Sequence, residues 1–255
     1  MTHKVIKQLT KAVFRSFGLD LRPARNIPFG VEWYHDIQYF TKASKLDIIL
    51  DVGANIGQTA LSLSKHFSDS LIYCFEPVPS TFEQLVTSTK ALPKVKAINQ
   101  ALGEKIDRVP MTAKPLAEQN TIVINGNKST SGDGETVLVD VNTLDNFCQS
   151  NKIEKINLLK IDTEGYEMNV LKGAEKLLSA HKIDYIVVEC DFFRRPNEPH
   201  GDFFEVFNYL KSWEYNVVSF YTGGIDACGW KWGDVLFTKS TGEQPKGYAR
   251  SPFQK

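Results

Sequence analysis

LDIILDVGANIGQT, residues 46–59, decides the fold. Leu46–Asp51 is an apolar run of the length of a buried strand, and it breaks at Gly53 into a turn. A helical pattern follows over Gly57–Phe67, carried by Ala60, Leu61, Leu63 and Phe67. A buried strand feeding a Gly-rich turn and then a helix is the nucleotide-binding unit of a doubly wound α/β sheet, whose ligands sit beyond the carboxyl ends of the strands. Gly53 and Gly57 let the main chain turn tightly and approach a ligand, with Asn55 between them and Asp51 at the strand tip.

The same rhythm continues outward. Leu71–Glu76 is a second strand, stopped by Pro77 and Pro79, with Ser80 placed to cap a helix through Thr81–Lys90. Val95–Asn99 is a third strand, Ile156–Asp162 a fourth and Ile183–Cys190 a fifth. A helix running to about Ser179 follows the fourth strand, and Phe203–Trp213 is another. Tyr215–Phe220 and Val235–Thr238 are two closing strands with no room for a helix between them. Runs buried on both faces and alternating with helices predict a mainly parallel sheet covered on both sides, and the closing pair predicts an antiparallel edge. Leu102–Val141 breaks the rhythm with short alternating runs at Arg108–Thr112, Thr121–Ile124 and Thr136–Val141, and is expected to be a β-rich insertion. It shapes an acceptor pocket or forms a purely structural flap. No internal repeat is present.

Composition narrows the class. The chain has 255 residues, with 30 basic and 30 acidic side chains. Zero formal charge gives no electrostatic reason to expect nucleic acid as a partner. Cys74, Cys148, Cys190 and Cys228 form no CxxC pair or zinc spacing, so reduced, buried thiols in a cytoplasmic protein are expected. No run approaches the ~20 apolar residues of a membrane span. The first residues have no signal-peptide core. They form an amphipathic pattern, with Ile6, Leu9, Val13 and Phe17 on one stripe and Lys4, Lys7, Lys11 and Arg15 elsewhere. A helix packed over the core, or a peripheral contact with a membrane surface, both fit it. The expected organisation is a helical extension over 1–40, a catalytic domain over 41–240 and a polar, flexible tail over 241–255.

Paired carboxylates choose the ligand. Glu76 ends the second strand, 25 positions after Asp51, where an acid can accept hydrogen bonds from both hydroxyls of a ribose. Dinucleotides place a pyrophosphate at the first helix and use GxGxxG, whereas here the spacing is GxxxG. A fixed carboxylate repels a pyrophosphate but suits the ammonium and sulfonium of S-adenosylmethionine (AdoMet). Gln100, Ala101 and Leu102 follow the third strand, where an adenine slot would lie. The fourth strand ends in LLKIDTEGYEMNVLKGA, with Lys160 and Asp162 on one face and Glu164, Gly165 and Glu167 following. Charges in an apolar run are costly unless paired or functional. Asp162 is thus a candidate base, or the group that orients an acceptor hydroxyl, with Lys160 stabilising its charge; a salt bridge holding the strand end is the alternative. Glu167 suits the helix dipole, and His35 is a second candidate base or a surface histidine. Asp162 with Glu189 or Asp191 could hold Mg²⁺, or these acids, with Arg194 and Arg195, bind acceptor hydroxyls or pair with one another.

These motifs resemble the FkbM family of AdoMet-dependent O-methyltransferases. LDVGANIGQ (50–58), CFEPVP (74–79), NQALG (99–103), VNTLDNF (141–147) and LLKIDTEGYEMNVLKGA (158–174) carry the resemblance. It implies a class I methyltransferase Rossmann-like fold with a seven-stranded sheet. It also implies that the Asp51–Gly53–Gly57 turn, with Asn55, holds the methionine end. By the same resemblance Glu76 and the adjoining Pro77 lie at the ribose, and Asp162 and Glu164 beside the transferred methyl. Family members methylate hydroxyls of sugars and secondary metabolites, which makes a small-molecule or carbohydrate acceptor the expected partner. A non-catalytic AdoMet-binding protein and an NAD(P)-dependent oxidoreductase are the competing expectations.

Overall fold

The structure, a computed structural model, describes residues 3–17, 28–41, 46–113, 121–122, 135–192, 201–227 and 229–239. Arg194, Arg195, Cys228 and the 241–255 tail lie outside them. The five central strands run parallel: β1 (Ile48–Val52), β2 (Leu71–Phe75), β3 (Val95–Ile98), β8 (Ile156–Ile161) and β9 (Ile183–Asp191). With β10 (Tyr215–Asp226) and β11 (Gly229–Lys239) they form one seven-stranded sheet of order β10-β11-β9-β8-β1-β2-β3. β11 runs antiparallel to both β9 and β10, so the closing hairpin makes the antiparallel edge that the sequence predicts.

Alternation of side chains gives the sheet two faces. Leu50, Val52, Leu159, Ile161 and Val188 point to one core, closed by α5 (Leu144–Ser150), α6 (Glu167–Lys172), α7 (Glu175–Ser179) and α8 (Phe203–Ser212). Ile49, Cys74, Leu158 and Val187 point to the other, beneath α2 (Trp33–Thr41), α3 (Gln58–His66) and α4 (Pro79–Thr89). Both faces are dry because helices cover both. Cys74, Cys148 and Cys190 are buried free thiols. α1 (His3–Ser16) has the expected helical form, and it leaves Val13, Phe14 and Phe17 exposed. Among the described residues no helix is long and apolar enough to cross a membrane.

The expected insertion is a second sheet of four strands, in order β4-β7-β5-β6: β4 (Ala101–Leu102), β5 (Asp107–Ala113), β6 (Thr121–Ile122) and β7 (Glu135–Asn142). Two readings differ in extent. The single helix expected after the fourth strand is broken into α6 and α7 at Gly173, where an added Cβ would fall 2.1 Å from the Gly103 carbonyl oxygen. The helix interrupts to admit the main chain of the β4 turn. The closing strands are also longer than their hydrophobic runs, because β10 and β11 stay paired out to Asp226 and Gly229.

Candidate active site

The carboxyl ends of β1, β2, β8 and β9 open onto one cavity of ≈ 550 Å³. Its floor is set by main-chain contact. Gly53 has φ +84°, and a Cβ there would lie 1.7 Å from the Asp162 carbonyl oxygen. The Asp162 N–H donates to the Val52 carbonyl at 3.0 Å, and the Gly53 and Ala54 N–H groups donate to the Phe75 carbonyl. The turn after β1 is thus tied to the tips of both neighbouring strands. A Gly53→Ala substitution cannot be accommodated without moving one of them. We expect it to lower the thermal midpoint and abolish ligand binding together, which differential scanning calorimetry and titration would show.

One half of the cavity is built by the first two units. Gly53, Asn55, Glu76, Pro77, Gln100, Ala101 and Leu102 all line it, as do Gln58 and Thr59 from the first turn of α3. Glu76 is buried, and its two carboxylate oxygens accept from the backbone N–H groups of Val78 (2.9 Å) and Asn55 (3.1 Å). Burial pushes its pKa up to about 7, against the pull of those two donors. Asn99 donates to the Glu76 and Pro77 carbonyls and fixes the loop. Gly57 is not among the lining residues: its φ of +99° starts α3, and a Cβ there would meet Ser88 Oγ at 2.7 Å and Leu85 at 3.1 Å.

The other half is acidic. Asp162, Glu164 and Glu189 line it with Thr163, Tyr166, Lys231 and Trp232. The three carboxyl groups have oxygens within 4.8 Å of one another. Burial raises the Glu189 pKa strongly, the Asp162 charge raises it further, and the Glu189 carboxyl is hydrogen-bonded to Asp162. The Asp162–Glu189 pair therefore holds a proton more tightly than two free carboxylates would. Glu164 stands on a left-handed residue (φ 52°) in the turn. That turn is held by Glu167, whose Oε1 accepts from Thr163 N (2.9 Å), Thr163 Oγ1 (3.0 Å) and Gly165 N (3.0 Å). Asp191 is buried and outside the trio.

Lys160 and Asp51 lie behind this wall, not on it. The buried Lys160 ammonium reaches Asp162 Oδ2 at 3.1 Å and Asp234 Oδ1 at 3.2 Å. Burial alone would lower its pKa, yet the surrounding charges of Asp162, Asp234, Glu189 and Asp51 hold it above the ordinary lysine value. Asp51 stands beside Lys160 in the backbone register of β1 and β8. Burial pushes the Asp51 pKa up to about 7 despite Lys160, and one of its carboxyl oxygens has no hydrogen-bond partner among the described residues. Asp234 in turn accepts from Trp33 Nε1 at 3.1 Å, which links α2 to the site. Lys160 offsets part of the charge of the trio, whose carboxyl groups are also close enough to share a divalent cation. His35 lies on α2 beside Tyr34 and His66 and does not line the cavity.

Two of these residues lie outside the motifs that mark the site in sequence. Asp234 and Trp232 come from the last strand, and β11 reaches the cavity only because it runs antiparallel. The WKWGD stretch (230–234) was the available hint, two tryptophans beside an acid in a sheet-edge segment.

The sheet order, the inserted antiparallel strand and the cavity at the strand tips together define a class I methyltransferase fold. Residues 51–217 match the family described as Methyltransferase FkbM domain, and the chain belongs to that family. It is 28% identical over 149 residues to the hexuronic acid methyltransferase AglP of Haloferax volcanii, covering 58% of this chain and 57% of that protein. It is 30% identical over 163 residues to Methyltransferase 1 of Beauveria bassiana, covering 56% of this chain and 64% of that protein. A third relative is the 2-O-methyltransferase NoeI of Sinorhizobium fredii, 23% identical over 150 residues, with 54% and 61% covered. The matched stretch thus spans about three fifths of the length of these relatives.

Proposed function

We propose that this chain transfers the methyl group of AdoMet to a hydroxyl oxygen of a carbohydrate or secondary-metabolite acceptor. The observation that carries the reading is one cavity with two chemically different ends: Glu76 at the tip of β2, and Asp162, Glu164 and Glu189 at the tips of β8 and β9. The names of the relatives AglP, a hexuronic acid methyltransferase, and NoeI, a 2-O-methyltransferase, support an oxygen acceptor.

The sulfonium supplies an already activated methyl, so the protein's task is alignment. Positioning the acceptor oxygen in line with carbon and sulfur is worth roughly 7–11 kcal/mol. Glu76 accepts the ribose hydroxyls, and the free N–H groups at the start of α3, near Gln58 and Thr59, meet the methionine carboxylate. Asp162 accepts a hydrogen bond from the acceptor hydroxyl. As the oxygen–carbon bond forms and the carbon–sulfur bond breaks, the proton passes to Asp162 and from there to solvent. Lys160 acts behind Asp162, keeping it anionic and fixed.

The Glu76 carboxyl gives a pH signature. Its pKa of about 7 lies above that of a free carboxylate, so below pH 7 the ligand-free protein carries a proton there. Ribose hydroxyls donate best to the ionised form, so binding expels that proton. Affinity for S-adenosylhomocysteine therefore falls as pH drops through about 7, by about tenfold between pH 8 and pH 6 for a single site. Calorimetric titration across that range checks this. Glu76→Gln is expected to bind more weakly and with a flat profile. Protein that ignores AdoMet at every pH while binding a nicotinamide dinucleotide would overturn the proposal.

A further inference from the structure

We infer that α1 is a docking helix that lays its apolar stripe into the surface of an anionic lipid bilayer and holds the protein there. Among the described residues none from α1 lines the cavity, so the docking is independent of the methyl-transfer chemistry.

The helix separates its apolar residues from its charges. At 3.6 residues per turn, Ile6, Leu9 and Val13, continued by Phe17 one position past the helix end, fall within an arc of about 80°. Lys4, Lys7, Lys11 and Arg15 fall within another arc of about 80°, on the opposite side. A stripe of this kind in a globular protein faces a core. Here it does not. Val13 is 56% and Phe17 76% exposed, Phe14 beside them is exposed as well, and no α1 residue joins the buried core clusters of the described residues. Apolar side chains scattered singly over a surface need no partner, whereas a row along one helix does. The exposure is also concentrated: among the described residues, six of the fourteen large apolar side chains left exposed lie between Val13 and Tyr39.

Charge selects the occupant. The first 19 positions hold four basic residues and no acid, in a chain whose basic and acidic residues balance at 30 each. The helix is thus a positive island, and the rest of the chain is net negative. A second copy of α1 would offer the same positive charge and no complement to it. An anionic bilayer supplies both partners together: hydrocarbon beneath the headgroups for the stripe, and headgroup charge for basic side chains whose long stems reach out from the apolar boundary. Arg15 already has an interaction within the chain, so the headgroup charge is met by the three lysines. With 14 residues and basic side chains along its length, α1 is too short and too polar to span a bilayer and lies in the plane of the headgroups. The net negative body is repelled by the same surface, so the helix alone makes the contact.

Co-sedimentation with vesicles tests this, using phosphatidylcholine alone and an equal mixture of phosphatidylcholine and phosphatidylglycerol. The protein should sediment with the mixed vesicles, remain in solution with phosphatidylcholine alone, and detach from the mixed vesicles in concentrated salt. Val13→Ser with Phe17→Ser should weaken binding to the mixed vesicles by at least about tenfold. Lys7→Gln with Lys11→Gln should weaken it by about 10–30-fold. Both double variants should keep the parent's thermal midpoint, which shows that they fold. No sedimentation with mixed vesicles, equal sedimentation with both kinds, or unchanged binding by either double variant would each overturn the inference. A dimer that binds no vesicles and that Val13→Ser with Phe17→Ser dissociates would overturn it too, by showing that a second copy covers the stripe.

Discussion

Asp162→Asn is expected to lower turnover by about 10²–10⁴-fold while leaving the affinity for S-adenosylhomocysteine within about twofold of the parent, the range seen when a positioned proton acceptor is removed. The split follows from placement. The Asp162 side chain is grouped with Glu189 and Glu164 and bonded to Lys160, whereas Glu76 stands at the tip of β2 and bonds the loops after β1 and β2. The amide keeps the size of the side chain, and the contact between Gly53 and the Asp162 carbonyl is made by main chain, so the turn after β1 keeps its shape. Single-turnover transfer from methyl-labelled AdoMet, paired with calorimetry, separates the two quantities. Full turnover would reject the role of Asp162. Equal loss of affinity would make it a structural strut.

Lys160→Met is expected to produce the largest loss of stability. The ammonium is buried and holds both Asp162 and Asp234 at 3.1–3.2 Å, so its removal leaves two carboxylates facing Asp51 and Glu189 with no cation between them. Breaking a buried pair by deleting one partner costs about 3–5 kcal/mol, and the partial exposure of Asp162 and Asp234 favours the lower end. At about 2–4 °C per kcal/mol, the thermal midpoint should fall by roughly 6–12 °C. The sign with pH is fixed by Asp51. Its folded-state pKa is raised to about 7, so its protonated form favours the folded state at low pH and that contribution is lost as pH climbs through about 7. Without Lys160 that value rises further, so the deficit should widen from pH 5.5 to pH 8. A midpoint unchanged at pH 8 would show that the ammonium is dispensable.

Much of this was legible because it is local. The strand, glycine turn and helix at 46–67, and Glu76 at the next strand tip, obey short-range rules that survive in any context. Lys160 and Asp162 were visible as charges inside an apolar run, which physics tolerates only with partners. Asp234 was not, since nothing in the chain announces that a residue on β11 will pair with Lys160 across two strands. Trp232 was hidden for a different reason. YTGGID (221–226) and GWKWG (229–233) look like loop by their glycines, yet they continue β10 and β11 because those glycines make room for the indole. The break of the expected helix at Gly173 has the same origin, a close main-chain approach from Gly103 that is 70 positions away in sequence. Short-range pattern finds elements and their tips, whereas contacts between tips are decided by packing.

The abutment of Gly53 on the Asp162 carbonyl has a consequence for divergence. Under the proposed reading, the turn after β1 and Asp162 are riveted at one point of bare backbone, so the distance from methyl donor to acceptor would act as a fixed gauge that side-chain substitutions elsewhere leave untouched. The hairpin bearing Trp232 is joined to the site by side chains, through Asp234 to Lys160 and to Trp33, as well as by its ladder with β9. Under the same reading, new acceptors would be acquired by recutting that flank and the small second sheet, with the transfer distance inherited unchanged.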